Sequence, residues 1–444
     1  MEDQGLTTFE AEQLIKGLHT FETIRAVGSE DWLAQHQAIE KLNMQAHYCA
    51  QKNSDEFVVE EFQTHDKVGT LIHDLVLIDV WKEKVAPLLN LQEPQLTGVK
   101  AYMTFYHEGL VVNLLEILCY NRDALLSAGD MLIELAEYLI RKLEVLATRP
   151  ASYWATPKRT PAETMAMTAV DRHHEQVRQI EFNVCMGCLG VTRLLTDQAA
   201  HVPPGVLDCF LVHHDLISLL VQLMESKPWV RRDGADTFKF EDTQWVLVPP
   251  RDRLRLPKLE AQVWLSLYRV LLERDCQAKY RFDDLRKATI GKLRRYFQET
   301  LLDQLPVLTD LQRGIEYLTV QGAPPDERRA PLRIEELPEV RSSLSSGQNW
   351  TEIAAWQREH VFTQTEAQRL AEMRRLAANY SMPIFEEAAP KPRCACCGRM
   401  ATQRCARCRS EWYCDRECQI RRWPDHKKAC AEIAARLPKE EPKK

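Results

Sequence analysis

No stretch of this 444-residue chain approaches the roughly 20 consecutive apolar residues of a membrane span. The apolar segment from Leu71 to Trp81 is interrupted by His73, Asp74 and Asp79. The opening Met1-Glu2-Asp3-Gln4-Gly5 lacks the basic and apolar regions of a secretory signal. A cytosolic or nuclear protein is therefore expected, in a compartment where disulfides are rare. Hydrophobic residues at 45% and charged residues at 27% leave no collagen-like, mucin-like or coiled-coil bias. Catalytic signatures are missing too. There is no phosphate-binding glycine loop and no nucleophile elbow, and His107-Glu108 lacks the second histidine of a zinc-protease helix. His-Asp pairs recur at His65-Asp66, His73-Asp74 and His214-Asp215, but a metal phosphohydrolase needs further spaced ligands. An aspartate near a helix start also stabilises the positive helix end without any catalytic role. The expectation is a protein that is not an enzyme.

What is present is uneven. Residues from Lys391 to Lys444 carry 15 Lys+Arg against 7 Asp+Glu, a net +8, which leaves −14 for residues 1–390 of an overall −6. The body reads as helix nearly throughout, with apolar residues at three- and four-residue spacing, as in Trp32, Leu33, His36, Ile39, Leu42 and Met44. The stretches Thr70–Val76, Gly109–Leu115 and Asp215–Val221 are apolar on most sides, as the inner helices of an armadillo-like array would be. A non-repeating helical domain produces such helices equally well. Thr237–Val248 departs from this pattern: Phe238 and Phe240 alternate around Lys239, and Trp245 and Leu247 follow, which predicts a β-hairpin inserted between helices.

Proline clusters divide the chain. We expect an N-terminal helical domain at 1–148, a linker at 149–162, and a second helical part at 163–322 with the hairpin near 237–248. A linker at 323–349 and connecting helices at 350–389 follow, one of them opened by a capping box at Thr363-Gln364-Thr365-Glu366 with Leu370, Met373 and Leu376 on one face. A metal-binding module at 394–430 and a polar tail at 431–444 complete the chain.

Eight of the 14 cysteines fall between Cys394 and Cys430. Cys394-x2-Cys397, Cys405-x2-Cys408, Cys414, Cys418, His426 and Cys430 make eight donors, with Cys396 left as a surplus thiol. Eight donors fill two tetrahedral Zn2+ sites and leave no open position, which marks structural sites. Seven thiolates and two Zn2+ would add about −3 to the module, so its basic charge is a weak argument for nucleic acid. Cys185-Met186-Gly187-Cys188 has no second pair to complete a site and reads as buried structural cysteine.

This spacing resembles the MYND family of zinc fingers. The resemblance implies interleaved ligation, with Cys394, Cys397, Cys414 and Cys418 holding one zinc and Cys405, Cys408, His426 and Cys430 the other. It also implies a protein-interaction module that takes a proline-containing peptide beside the second zinc. The family's groove-lining Gln and Trp correspond to Gln419 and Trp423, with Trp412 and Tyr413 supporting the zinc fold. The catalytic members, lysine methyltransferases, carry an Asn-His-x-Cys motif and a domain continuing past the finger. Neither is found in the 14 residues after Cys430 or elsewhere.

Body segments, among them Glu40–Ala46, Ser226–Trp229, Gln262–Trp264 and Thr300–Pro306, together with Ser410-Glu411-Trp412-Tyr413-Cys414, are similar to ciliary MYND proteins that serve the preassembly of axonemal dynein arms. That resemblance implies a cytoplasmic adaptor, found also at centriolar satellites or the apical region near basal bodies. Its implied partners are leucine-rich-repeat dynein assembly factors, heat-shock chaperones and immunophilin co-chaperones, with axonemal dynein chains as clients. A nuclear transcriptional corepressor recruiting partners through the finger is the alternative.

Overall fold

The computed structural model describes residues 5–89, 96, 98–155, 163, 166–321, 338–370, 374 and 392–436. The long helices are α1 (Glu30–Lys52), α2 (Val68–Lys84), α3 (Val99–Tyr120), α4 (Met131–Thr148), α5 (Ala169–Asp197), α6 (Leu216–Ser226), α7 (Lys258–Leu272) and α8 (Leu308–Gln321). Local chemistry fixes several of their ends. The Ser29 and Thr168 side chains accept from the Trp32 and Asp171 amides and start α1 and α5. Asn53, in the left-handed region at φ 49°, stops α1.

The helices pack as a row. α3 lies against α1, α2 and α5; α5 reaches α4 and α7; α6 fills the space between α4 and α7; α8 closes on α7. The three Leu-rich stretches fall in α2, α3 and α6, whose apolar side chains are almost all buried. One hydrophobic core runs from Leu6 to Phe362 without a break, and it includes residues on both sides of segment 156–162, which lies outside the described residues. The segment 338–362 crosses back over the N-terminal helices. There the Trp81 indole donates to Gln357 Oε1 at 2.8 Å, and the Gln357 amide donates to the Ile24 and Val27 carbonyls at 3.1 Å each. Gly28, at φ +82°, permits this crossing, since a Cβ there would stand 2.8 Å from Val361 Cγ1.

The body is helical with a β insertion, as the periodicity predicts. β2 (Asp236–Glu241) and β3 (Gln244–Val248) form the expected antiparallel hairpin. Asp242 and Thr243 both have positive φ, 46° and 61°, the backbone of the primed turn that matches strand twist. A strand the sequence did not signal, β1 (Val230–Asp233), pairs with the outer side of β2. Phe240 and Trp245 face each other across the hairpin and meet Phe182 of α5 at 4.9 and 5.8 Å between ring centroids, which anchors the sheet on the helical row.

The capping box sits two residues later than its sequence pattern indicates. Thr365 and Gln368 exchange the reciprocal bonds, while the Thr363 hydroxyl donates to the Arg358 carbonyl. Met373 and Leu376 of the predicted apolar face, most of the linker 323–349 and the tail beyond 436 lie outside the described residues.

Candidate metal centres

Two short turns start the C-terminal module. In each, a Cys-x2-Cys pair is closed by a residue in the left-handed region, Gly398 at φ 74° and Arg409 at φ 53°. The Gly398 and Arg409 amides donate back to the Cys394 and Cys405 carbonyls at 2.8 and 2.9 Å. β4 (Gln403–Arg404) and β5 (Trp412–Tyr413) flank the second turn and pair with each other, and Cys414, directly after β5, joins the first turn's cysteines. The helix α9 (Arg416–Arg436) then begins at Asp415, whose carboxylate accepts from the Cys418 amide at 2.7 Å. This helix brings Cys418 to the first group and His426 and Cys430, one turn apart, to the second.

The result is two clusters, Cys394/Cys397/Cys414/Cys418 and Cys405/Cys408/His426/Cys430, with all ligand atoms of each within 4.8 Å of one another. At a Zn–S distance of about 2.3 Å, a tetrahedral site has S···S edges of about 3.75 Å. Observed separations are 3.6 Å for Cys397–Cys414, 3.5 Å for Cys414–Cys418 and 3.7 Å for Cys405–Cys430. His426 Nε2 lies 3.4 and 3.5 Å from the Cys408 and Cys405 sulfurs. The donor types and their spacing fit two closed, structural zinc sites, interleaved along the chain. Cys396 is half-exposed and belongs to neither cluster.

Surrounding groups tune the ligands. His426 Nδ1 faces Glu411 Oε1 at 3.1 Å, and the second oxygen of Glu411 accepts from the Tyr413 hydroxyl at 2.8 Å. The ring thus lies between this carboxylate on its Nδ1 side and the sulfurs on its Nε2 side, the usual place of an outer carboxylate behind a ligating histidine. Arg399 donates to the Cys397 sulfur at 3.4 Å and stands 3.7 Å from that of Cys414, opposing thiolate charge. Tyr413 is fully buried, and Trp412 lies under the Arg404 guanidinium. Gln419 and Trp423 sit one turn apart on α9, both half-buried. Trp423 also packs on the core of the module, with its ring 5.9 Å from that of His426, so packing and exposure coexist in this side chain.

The module is docked on the β insertion. The Leu247 amide of β3 donates to the Cys397 carbonyl at 3.0 Å, Leu247 packs against the module's core, and Arg393 pairs with Asp242 in the hairpin turn at 3.2 Å. Gly398 lies so close to the strand that a Cβ there would stand 2.8 Å from the Trp245 carbonyl oxygen. Sequence reading missed Glu411 and this dock. The one available signal was the glycine directly following Cys397.

The His-Asp pairs do not converge. Asp74 accepts from buried His107 at 3.0 Å, and His107 in turn meets His36 at 2.9 Å. His65 faces Glu12 and Glu61, while His214 faces Glu137. Asp215 is the N-cap of α6, accepting from the Ser218 amide at 3.2 Å, so the helix-start explanation holds there. It does not hold for Asp74, which lies in the interior of α2. Cys185 and Cys188 are wholly buried in α5, and burial pushes the Cys185 thiol up to about 12.

Residues 394–430 match the MYND finger family. Across 94% of its length the chain is 27% identical to the zinc finger MYND domain-containing protein 10 homolog of Drosophila melanogaster, covering 96% of that protein. No solved structure matches the chain.

Proposed function

Given a MYND finger docked on a long helical body, we propose that this chain is an adaptor that acts by binding proteins and not by catalysis. The observation that carries this reading is the closed donor set. Eight ligands occupy the finger's two tetrahedral sites and leave no position there for a substrate or an activated water. The finger's helix instead presents Gln419 and Trp423 at its surface. A rigid tryptophan face suits a proline ring, and the Gln amide suits the backbone of an extended peptide. The body supplies a second, separate surface for a client or co-chaperone. The near-full-length similarity and the resemblance of the body segments support a cytoplasmic role in preassembly of axonemal dynein arms, with dynein chains as clients and chaperones, co-chaperones and other assembly factors as partners.

The test is a tagged pull-down from differentiating multiciliated cells, comparing the intact chain with Trp423→Ala by mass spectrometry after confirming equal zinc content. Dynein chains and co-chaperones should copurify with the intact protein, and a subset should be lost with Trp423→Ala. Recovery of chromatin repressors in their place would overturn the assembly reading. An unchanged partner list for a folded Trp423→Ala protein would remove Trp423 from the binding site.

A further inference from the structure

Among the described residues outside the finger, one cluster mixes sulfur, nitrogen and oxygen donors. Glu137 of α4, Cys209 and His214 bring their ligand atoms within 4.8 Å of one another. Both oxygens of Glu137 lie close to His214 Nε2, at 3.0 and 3.1 Å.

The backbone that makes this possible is unusual. Cys209 and His214 are five residues apart, which on an α-helix would turn their side chains about 140° from each other. Here residues Cys209–His213 form a π-helical turn, and the His214 amide donates to the Cys209 carbonyl at 3.1 Å. The wider turn brings both side chains toward α4. Such turns are uncommon and concentrate at functional sites. This one is held from both sides, by Asp208 paired with Lys279 at 2.6 Å and by Asp215 bonded to Tyr280 and Arg286 at 2.8 and 2.9 Å. Those acids are therefore engaged elsewhere, and the three donors are left facing one another.

We infer that Glu137, Cys209 and His214 form a third zinc site, which clamps the π-helical turn to α4. Thiolate, imidazole and carboxylate together suit Zn2+ among the divalent ions. Binding would open the His214–Glu137 separation by about 0.3 Å to reach a tetrahedral N···O edge and release the Cys209 thiol proton to solvent. Cys209 is buried, while the Glu137 and His214 side chains keep 20% and 29% of their surface exposed, so the ion has a route in. Three protein ligands leave a fourth position open to water, unlike the closed sites of the finger.

The experiment is a metal count on the full chain, loaded with excess Zn2+ and then desalted. The intact chain should carry three zincs, and His214→Gln and Cys209→Ser should each carry two with unchanged helix content. A stepwise chelator titration of the intact chain should release one zinc before the other two. A count of two in the intact chain, or of three in both variants, overturns the assignment. If a variant folds poorly, Co2+ loading of the intact chain decides. A third equivalent with the weak charge-transfer band of a single thiolate supports the site, and saturation at two equivalents rejects it.

Discussion

Glu411 and Gly398 each act through one atom's reach. Glu411 holds the His426 ring from behind, and its position two residues before Tyr413 places both side chains in the same bond. Glu411→Ala removes the orienting carboxylate and leaves all eight ligands in place. The expected effect is a loss of about 10–100-fold in affinity at the second site, read by chelator competition, with the first site unaffected. Gly398 combines positive φ with contact to β3, so Gly398→Ala strains the turn and forces the finger off the strand. The variant should keep two finger zincs yet show altered Trp245 fluorescence and faster proteolysis between body and finger. Unchanged fluorescence and proteolysis would mean that the dock is looser than these distances imply.

At the scale of elements, legibility followed the kind of signal involved. Zinc ligands were readable because spacing along the chain sets which turns and helix faces can meet. The β2–β3 hairpin was readable because Phe238 and Phe240 alternate; β1 was not, since Val230-Arg231-Arg232-Asp233 has no apolar alternation and is held by pairing to β2. The dock rests on a backbone hydrogen bond, one leucine and one ion pair between segments about 150 residues apart, none of which makes a pattern along the chain. The ion cluster joining α2, α3 and α4 was equally hidden, because its charges interrupt apolar runs one at a time. Lys142 contacts Asp79 at 2.8 Å and Glu108 at 2.5 Å, all three buried, with Lys82, Arg141 and Arg341 around them.

Burial alone would raise the Asp79 carboxyl, but Lys142, Arg141 and Arg341 overcome it and hold the group well below the usual range; for Glu108, too, Lys142 and Lys82 outweigh burial and lower the carboxyl. Carboxyls depressed on folding contribute stability that is present above their unfolded values near pH 4 and is lost as pH falls through the folded ones. Lys142→Met removes the cation that the two carboxylates share, leaving Asp79 to Arg141 and Arg341 and Glu108 to Lys82, and should cost about 3 kcal/mol, the low end for breaking a buried pair. Because the deficit comes from carboxylates held less firmly in the charged form, it should hold from pH 7 to about 5 and shrink as pH falls toward about 3. Urea midpoints measured across that range check it, and a deficit independent of pH would point to lost packing instead.

The whole molecule joins two kinds of core that answer differently to metal. The finger's buried residues are chiefly its own ligands, and roughly 40 residues cannot bury enough surface to fold unaided, so zinc binding, about 10–16 kcal/mol per structural site, supplies the folding energy. The body's core, from Leu6 to Phe362, contains none of the finger's ligands. A strong chelator should therefore unfold the finger and its 21-residue helix α9 while most far-ultraviolet helix signal remains. In the Cys209→Ser chain, which lacks the third site, the body should still melt cooperatively within a few degrees of its midpoint before chelation. Trp245, whose carbonyl and strand neighbours face the finger, should report the loss of the dock under the same conditions. If the body's transition broadens or collapses once zinc is removed, the finger is completing the fold through β3, and variants at any finger ligand would then act on the helical scaffold as well as on the finger.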